Sequence, residues 1–158
     1  MILASLSALE MARLPGGNLR WAASMVSLHQ NTNGCILVMD DEDMIRHLLQ
    51  AMLARLGYET ESVPDGDTAL AAYQQAYHAG QPFGVVILDA LIPGGMGGFE
   101  TLGHLRAIDP QVRAILCSGY AHYPGLASYT QHGFCDLLSK PFTLEGLSDA
   151  IQRVLTIS

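Results

Sequence analysis

Carboxylate side chains follow apolar runs at two separate places in the chain. Asp40 and Asp41 come directly after the run 35–39, and Asp89 comes directly after the run 85–88. Three carboxylates that meet repel one another, and a divalent cation relieves that repulsion. Oxygen-only ligands suit Mg²⁺, whereas zinc prefers His or Cys side chains. The pattern therefore predicts a Mg²⁺ site, provided that the chain brings the two runs together.

A hydroxyl and an ammonium group follow two later apolar runs. Ser118 comes after the run 114–117, and Lys140 comes shortly after the run 134–138. Lysine supplies a mobile positive charge for a carboxylate or a phosphoryl oxygen, and serine can donate a hydrogen bond to the same group. Phosphoryl transfer needs mostly positioning and charge neutralisation. The set therefore supports attack by Asp89 on a phosphorus atom to give an aspartyl phosphate.

Strand and helix patterns alternate from residue 35 onward, and they must position these side chains. Strands are expected over 35–39, 58–63, 85–88, 114–117 and 134–138, and helices over 44–56, 65–79, 99–107, 123–131 and from residue 143 onward. Asp65 and Thr143 are the expected N-terminal caps of two of these helices. Five alternating pairs predict a parallel sheet covered on both faces, with ligands at the carboxyl ends of its strands.

Composition excludes several other classes of protein. The chain has 158 residues, which is room for one domain of about 120 residues plus an extension. Its net charge is −7, so it should not bind DNA directly. Its three cysteines have no C-x-x-C spacing and are predicted to be reduced thiols. No apolar stretch reaches the roughly 20 residues of a membrane span, which predicts a cytoplasmic protein.

Residues 1–33 differ from the rest of the sequence. They carry weak periodicity, with a possible helix near 2–14 and a helical turn near 21–29, separated by a Pro-Gly-Gly-Asn break. We predict an N-terminal extension or linker over 1–33 and a single domain over 34–158. The extension could be a docking or dimerising helix, a remnant of a larger ancestor, or an upstream stretch before a true start at Met25.

The alternating pattern and its polar residues resemble the receiver domain of two-component response regulators. The resemblance covers about residues 35–157, and the matching stretches are ILVMDDE at 36–42, VILD at 86–89, IP at 92–93, LCSGY at 116–120 and LSKPF at 138–142. It implies a flavodoxin-like, doubly wound (βα)5 fold with strand order 2-1-3-4-5. It also implies a non-enzymatic switch, which catalyses only its own phosphorylation and dephosphorylation.

The resemblance assigns a role to each polar residue. Asp89 would accept the phosphoryl group from a histidine kinase or a histidine phosphotransfer protein, with Ser118 and Lys140 contacting that group. Mg²⁺ would be held by Asp40, Asp41, Asp89 and the main-chain carbonyl of Leu91. The Lys140-Pro141 peptide bond is expected to be cis. The output would be a changed protein contact, and the face formed by the fourth helix, fifth strand and fifth helix could form a homodimer.

Three departures from the family pattern affect these expectations. The loop after Asp89 is one residue longer than usual and glycine-rich over 94–98, as in receivers attached to hybrid sensor histidine kinases, and we expect it to be flexible. Leu137 stands where the family often has a switching aromatic residue. Leu91 and Tyr120 are bulky and are expected to hinder the hydrolytic water, so that the phosphorylated state lasts longer.

Two alternative functions remain open. The fold could serve as a phosphorylation-independent protein-binding module, which the longer loop and Leu137 would suit. A phosphatase using Asp89 as its nucleophile is the other alternative. Such enzymes usually carry a second acid two residues after the nucleophile, and Leu91 occupies that position.

Overall fold

The computed structural model describes residues 34–157, and the helical segments expected within 1–33 lie outside them. The described chain alternates strands with helices and one 3₁₀ turn. In order they are β1 (Ile36–Met39), α1 (Asp43–Arg55), β2 (Thr60–Val63), α2 (Gly66–His78), β3 (Val85–Asp89), α3 (Gly98–Ile108), β4 (Ala114–Ser118), the 3₁₀ turn (Leu126–Ser128), β5 (Asp136–Ser139) and α4 (Leu144–Leu155). None of the described helices is long and apolar enough to cross a membrane.

The five strands form one parallel sheet in the order β2-β1-β3-β4-β5, as predicted. Adjacent strands end nearly in line with each other. Met39 of β1 pairs with Leu88 of β3, and Ser118 of β4 pairs with Ser139 of β5. The residues that follow these ends therefore share one edge of the sheet.

Apolar side chains cover both faces of the sheet. On one face Leu37, Leu88 and Leu116 pack with Tyr73 of α2 and Leu102 of α3. On the opposite face, side chains of β1, β3 and β4 pack with α1 and α4, and this layer includes Ile36, Ile87, Ile115, Leu53 and Ile151. Burial on both faces explains why the three central strands are continuous apolar runs.

The caps of two helices are those expected from the sequence. The side chain of Asp65 accepts a hydrogen bond from the main-chain N–H of Thr68 at 2.8 Å, and the side chain of Thr143 accepts one from Gly146 at 3.0 Å. Each bond satisfies a main-chain donor that has no partner within its own helix.

The helix predicted over 123–131 is wrong. The chain there forms only the 3₁₀ turn Leu126–Ser128 between other turns. Gly125 adopts a φ of 91° and Gly133 a φ of 100°, both in the left-handed region that interrupts a right-handed helix. Tyr123, Leu126 and Tyr129 nevertheless pack against the core. These apolar side chains thus reach the core from a series of turns, which the left-handed glycines impose on the backbone.

The glycine-rich loop 94–98 is closely packed only at its end: a Cβ atom at Gly94 would meet nothing within 4 Å. A Cβ atom at Gly97 would lie 2.4 Å from the carbonyl oxygen of Ala90, and one at Gly98 would lie 2.7 Å from that of Asp89. No real side chain tolerates such distances. These two glycines therefore let the start of α3 rest directly on the main chain at the end of β3.

Candidate functional site

Three carboxylates meet at the carboxyl edge of the sheet. Asp40 follows β1, Asp41 follows it, and Asp89 ends β3. One carboxylate oxygen from each lies within 4.8 Å of the others. Asp40 and Asp89 are buried, with 1% and 6% of their surface exposed, whereas Asp41 faces solvent. The cluster therefore combines a buried floor with an open side.

Lys140 lies across two of these carboxylates. Its Nζ atom is 2.7 Å from Asp40 Oδ2 and 3.1 Å from Asp89 Oδ2. Burial alone would lower the pKa of Lys140, but its bonds to both aspartates outweigh burial and raise that pKa. The ammonium group is therefore charged throughout the physiological range.

The main chain fixes the place from which Lys140 projects. Its N–H donates to the carbonyl of Ser118 at 2.8 Å, and the following Lys140-Pro141 peptide bond is cis, as expected. The lysine side chain passes beside Gly119, where a Cβ atom would be 3.7 Å from Lys140 Cδ, an ordinary van der Waals distance. The side chain thus passes over the end of β4 to reach β3 and β1.

Burial makes the carboxyl group of Asp89 harder to ionise. The pKa of Asp89 is raised to about 6, mainly by burial and also by the charge of Asp40, and the ion pair with Lys140 opposes that rise. The N–H of Leu91 lies 3.4 Å from Asp89 Oδ1 and donates only a long hydrogen bond. A bound cation would favour the ionised form.

Asp40 is held on several sides. Its carboxylate accepts a hydrogen bond from the main-chain N–H of Glu42 at 2.9 Å, in addition to the ion pair with Lys140. Its own N–H donates to the carbonyl of Val63 in β2 at 3.1 Å, and its carbonyl accepts from Arg46 at 2.7 Å. The position of this carboxylate is therefore set by β2 and α1 as well as by β1.

Ser118 is buried at the end of β4, and its hydroxyl bonds within its own loop. Ser118 Oγ accepts a hydrogen bond from the N–H of Tyr120 at 3.2 Å and lies 3.4 Å from the Tyr120 carbonyl. Leu91 and Tyr120 extend into solvent near this edge, and both line a shallow groove with His122. Ser118 thus lies at the carboxyl edge of the sheet, where the sequence placed it, and its hydroxyl bonds to the loop that follows it.

The arrangement can bind a metal ion. All three side chains offer carboxylate oxygens, which are ligands for hard divalent cations. Their mutual repulsion, only partly offset by Lys140, favours a cation in the open side of the cluster. The carbonyl of Leu91 stays a predicted ligand.

Sequence reasoning missed two contributors to this site. Arg46 bonds to the main chain of Asp40, and the signal for it was its position three residues after Asp43, which is one helical turn. Gly97 and Gly98 were read as parts of a flexible loop. The run of glycines directly before a helix was the available sign of close packing.

Comparison with known proteins gives one consistent answer. A sequence model described as "Response regulator receiver domain" matches residues 36–152. The chain is 30% identical over 125 residues to sporulation initiation phosphotransferase F of Bacillus subtilis, which covers 79% of this chain and 96% of that protein. It is also 31% identical over 122 residues to the regulatory protein AtoC of Escherichia coli. This match covers 77% of this chain and 25% of that longer protein.

Solved structures agree with this comparison. The receiver domain of NtrX from Brucella abortus is 31% identical, with a TM-score of 0.69, covering 78% of this chain and 99% of that one. The chemotaxis protein CheY4 of Vibrio cholerae is also 31% identical, with a TM-score of 0.69 and coverage of 77% and 98%.

Proposed function

We propose that this chain, which belongs to the response regulator receiver family, is phosphorylated on Asp89 by a protein that carries phosphohistidine. Receiver domains interact with kinases and phosphotransferases and are not enzymes in the usual sense. One observation carries the proposal: Asp89 lies within a carboxylate cluster that can hold a cation, and the ammonium of Lys140 is already 3.1 Å from it.

The metal in this proposal is Mg²⁺. Asp40, Asp41 and Asp89 would hold it, together with the main-chain carbonyl of Leu91. An all-oxygen donor set with few protein ligands supports Mg²⁺, which keeps several of its waters. When bound, the ion supplies positive charge beside the transferring phosphoryl oxygens.

The residues of the chain itself perform the transfer. A carboxylate oxygen of Asp89 attacks phosphorus, the bond from phosphorus to the donor's imidazole nitrogen breaks, and the imidazole leaves with the electron pair. Lys140 pairs with a phosphoryl oxygen, since its ammonium already contacts the attacking carboxylate. Ser118 gives up its bond to the Tyr120 loop and donates to the phosphoryl group, which moves that loop.

Incubation with acetyl phosphate and Mg²⁺ tests this proposal. Intact-mass spectrometry should show one added phosphoryl group, absent when EDTA replaces Mg²⁺ and absent in Asp89→Asn. Asp136→Asn is the matched control, because Asp136 pairs with Arg153 on a different part of the surface, and this variant should be labelled like the wild type. Labelling that persists in Asp89→Asn would refute the assignment.

We also propose that the chain acts in a phosphorelay, in the manner of receivers attached to hybrid sensor kinases, and that it works in the cytoplasm. The glycine-rich loop 94–98 supports the first point, and so does the similarity to sporulation initiation phosphotransferase F along 96% of its length. Transfer rates measured from a panel of kinases and histidine phosphotransfer proteins test it. A preference for kinases that feed DNA-binding regulators would contradict it.

The output is a protein contact in this proposal, with no direct DNA binding by residues 34–157. The surface formed by the Leu126–Ser128 turn, β5 and α4 adjoins the loop that follows Ser118, so movement of that loop reaches it. We propose that this surface binds a partner or a second copy once Asp89 is phosphorylated. Light scattering with and without acetyl phosphate tests for the second copy, and an unchanged mass would leave the partner protein as the target.

A phosphorylation-independent binding module is the second candidate. Leu137, which stands where a switching aromatic is often found, is half-buried against the core and favours this candidate. The acetyl phosphate experiment separates the two, because a binding module would gain no phosphoryl group.

A further inference from the structure

Arg46 contacts both ends of the acidic segment that follows β1. It lies in α1, and only 16% of its side chain is exposed. Its Nη1 atom donates to the main-chain carbonyl of Asp40 at 2.7 Å, and its Nη2 atom forms an ion pair with Asp43. Between these two contacts lies Asp41, the exposed carboxylate of the cluster.

These contacts define the orientation of one peptide group. The N–H of Asp40 is held by Val63, so the residue is fixed on its amino side by β2. Its carbonyl belongs to the peptide that leads into Asp41, and Arg46 holds that carbonyl. The direction in which the Asp41 side chain leaves the main chain therefore depends on Arg46.

An arginine suits this task better than a lysine. Its planar guanidinium carries several N–H donors in a fixed arrangement, so it can bond to a carbonyl and a carboxylate at the same time. Hydrogen bonds from a charged donor are stronger than neutral ones, and this one is largely shielded from solvent. Both bonds together hold the short connection between β1 and α1 in one conformation.

We propose that Arg46 is a positioning residue for the cation site: it orients the Asp40–Asp41 peptide and so increases the affinity of the three carboxylates for a divalent cation. This inference rests on the proposed function, because it concerns the same site. It assigns Arg46 a role that does not involve contact with the metal or the phosphoryl group.

The charge of Arg46 acts in the opposite direction. A positive charge near a cation site repels the cation, so its removal would by itself tighten binding. The ion pair with Asp43 offsets part of that charge, and the other guanidinium nitrogen donates to the main-chain carbonyl of Asp40. We therefore expect the loss of positioning to outweigh the loss of repulsion.

Calorimetric titration with Mg²⁺ alone tests the proposal. Arg46→Gln should bind Mg²⁺ about tenfold more weakly, as is usual when the residue that orients a metal ligand is lost. Arg46→Lys should lie between this variant and the wild type. Arg153→Gln is the matched control, because Arg153 also pairs with an aspartate but away from the site, and its affinity should equal that of the wild type.

A second pair of variants separates position from charge. Asp43→Asn and Glu42→Gln each remove one negative charge near the site, but in the described residues only Asp43 pairs with Arg46. Asp43→Asn should weaken Mg²⁺ binding more than Glu42→Gln. Equal effects would show that only charge matters and would overturn the proposal. These two variants also keep the test decisive if Arg46→Gln fails to fold.

Two further measurements distinguish positioning from general damage. In metal-free protein, the amide of Glu42 should exchange with deuterium faster in Arg46→Gln than in Arg153→Gln, since that amide bonds to Asp40. The Mg²⁺ concentration that half-saturates the acetyl phosphate reaction should rise about tenfold in Arg46→Gln and stay unchanged in Arg153→Gln. Arg46→Gln that binds Mg²⁺ as tightly as the wild type, or more tightly, overturns the inference.

The proposed function can fail separately. A wild-type chain that binds Mg²⁺ but never gains a phosphoryl group would refute phosphorylation at Asp89, and the Mg²⁺ titrations would still decide the role of Arg46. A wild-type chain that does not bind Mg²⁺ overturns the role of Arg46 as well.

Discussion

At the scale of single residues, the site contains more negative than positive charge. Asp40, Asp41 and Asp89 meet here, and in the described residues Lys140 pairs with only two of them, Asp40 and Asp89. Functional sites often hold such an imbalance, because the burial of like charges shifts the pKa values of their side chains. The metal-free site is therefore less stable than a neutral core of the same size would be.

Asp89→Asn should stabilise the metal-free protein at neutral pH. Asp89 has a pKa of about 6 in the folded protein and an ordinary value near 3.8, so the folded state holds this proton more tightly than the unfolded chain. Its contribution to stability is therefore greatest below about pH 4 and is lost as the pH rises through 6. The asparagine variant avoids that loss, and we expect a gain of about 2 kcal/mol at neutral pH.

Urea unfolding in EDTA across a pH series measures this effect. The difference between Asp89→Asn and the wild type should shrink as the pH falls from 7 towards 4. Mg²⁺ should also reduce it, because the ion stabilises only the wild type strongly. A variant that is less stable than the wild type at neutral pH would contradict the prediction.

Leu91→Asn should shorten the lifetime of the phosphorylated state. Leu91 is 39% exposed beside Asp89, so its side chain can cover the path of the hydrolytic water, and the shorter polar asparagine can admit and orient that water. We expect loss of the phosphoryl group to become several times faster. Loss of radiolabel over time measures it, with the exposed Met44→Asn as a control for surface polarity at the same edge. An unchanged half-life would refute the role of Leu91.

Residue types were enough to bring five polar residues to one edge of the sheet, where the role of Ser118 stays a prediction, but they did not indicate Arg46. Asp40, Asp41, Asp89, Ser118 and Lys140 each follow a recognisable apolar run, so their common location follows from sheet geometry. A side chain that bonds to a main-chain carbonyl leaves no such pattern. Only coordinates show which carbonyl Arg46 reaches.

At the scale of elements, the start of α3 is packed against the main chain of β3. Gly98→Ala should destabilise the protein by about 1 to 3 kcal/mol, because its Cβ would lie 2.7 Å from the Asp89 carbonyl oxygen. Gly103→Ala is a matched control in the same helix, where a Cβ meets nothing within 4 Å, and it should stabilise by up to about 1 kcal/mol. Urea unfolding compares them, and equal effects would contradict the packing argument.

The connection between β4 and β5 shows why elements are harder to predict than a sheet. Its apolar residues do reach the core, and Phe99 of α3 stacks on Tyr123 with ring centres 5.9 Å apart. Helical spacing and a series of short turns can place the same side chains inward. The left-handed Gly125 and Gly133 decide between them, and a glycine's φ angle is not visible in a sequence.

At the scale of the whole molecule, the sheet order was predictable and one long-range bond was not. The strand order followed from the family resemblance and the alternating pattern. The hydroxyl of the buried Tyr73 in α2 donates to Asp109 Oδ2, which follows α3, at 2.7 Å. Burial, followed by this bond to a carboxylate, raises the pKa of Tyr73. The bond connects two neighbouring helices on one face of the sheet.

Tyr73→Phe should lower the free energy of unfolding by about 1 kcal/mol, since it removes a hydrogen bond to a charged acceptor but leaves the ring packing. Tyr58→Phe serves as the control, because in the described residues the Tyr58 hydroxyl makes no hydrogen bond, and its effect should stay within about 0.5 kcal/mol. Thermal and urea unfolding measure both. A larger loss for Tyr58→Phe would contradict this ranking.

Lys140 extends from β5, an edge strand of the described sheet, to the central strand β3 and its neighbour β1. It follows β5, passes the end of β4, and makes ion pairs with residues at the ends of β3 and β1. When the charge at the centre changes, the force on this side chain changes at its base on the margin of the sheet. A change of charge at the centre of the sheet can thus affect its edge strand through one flexible side chain, without any strand having to slide.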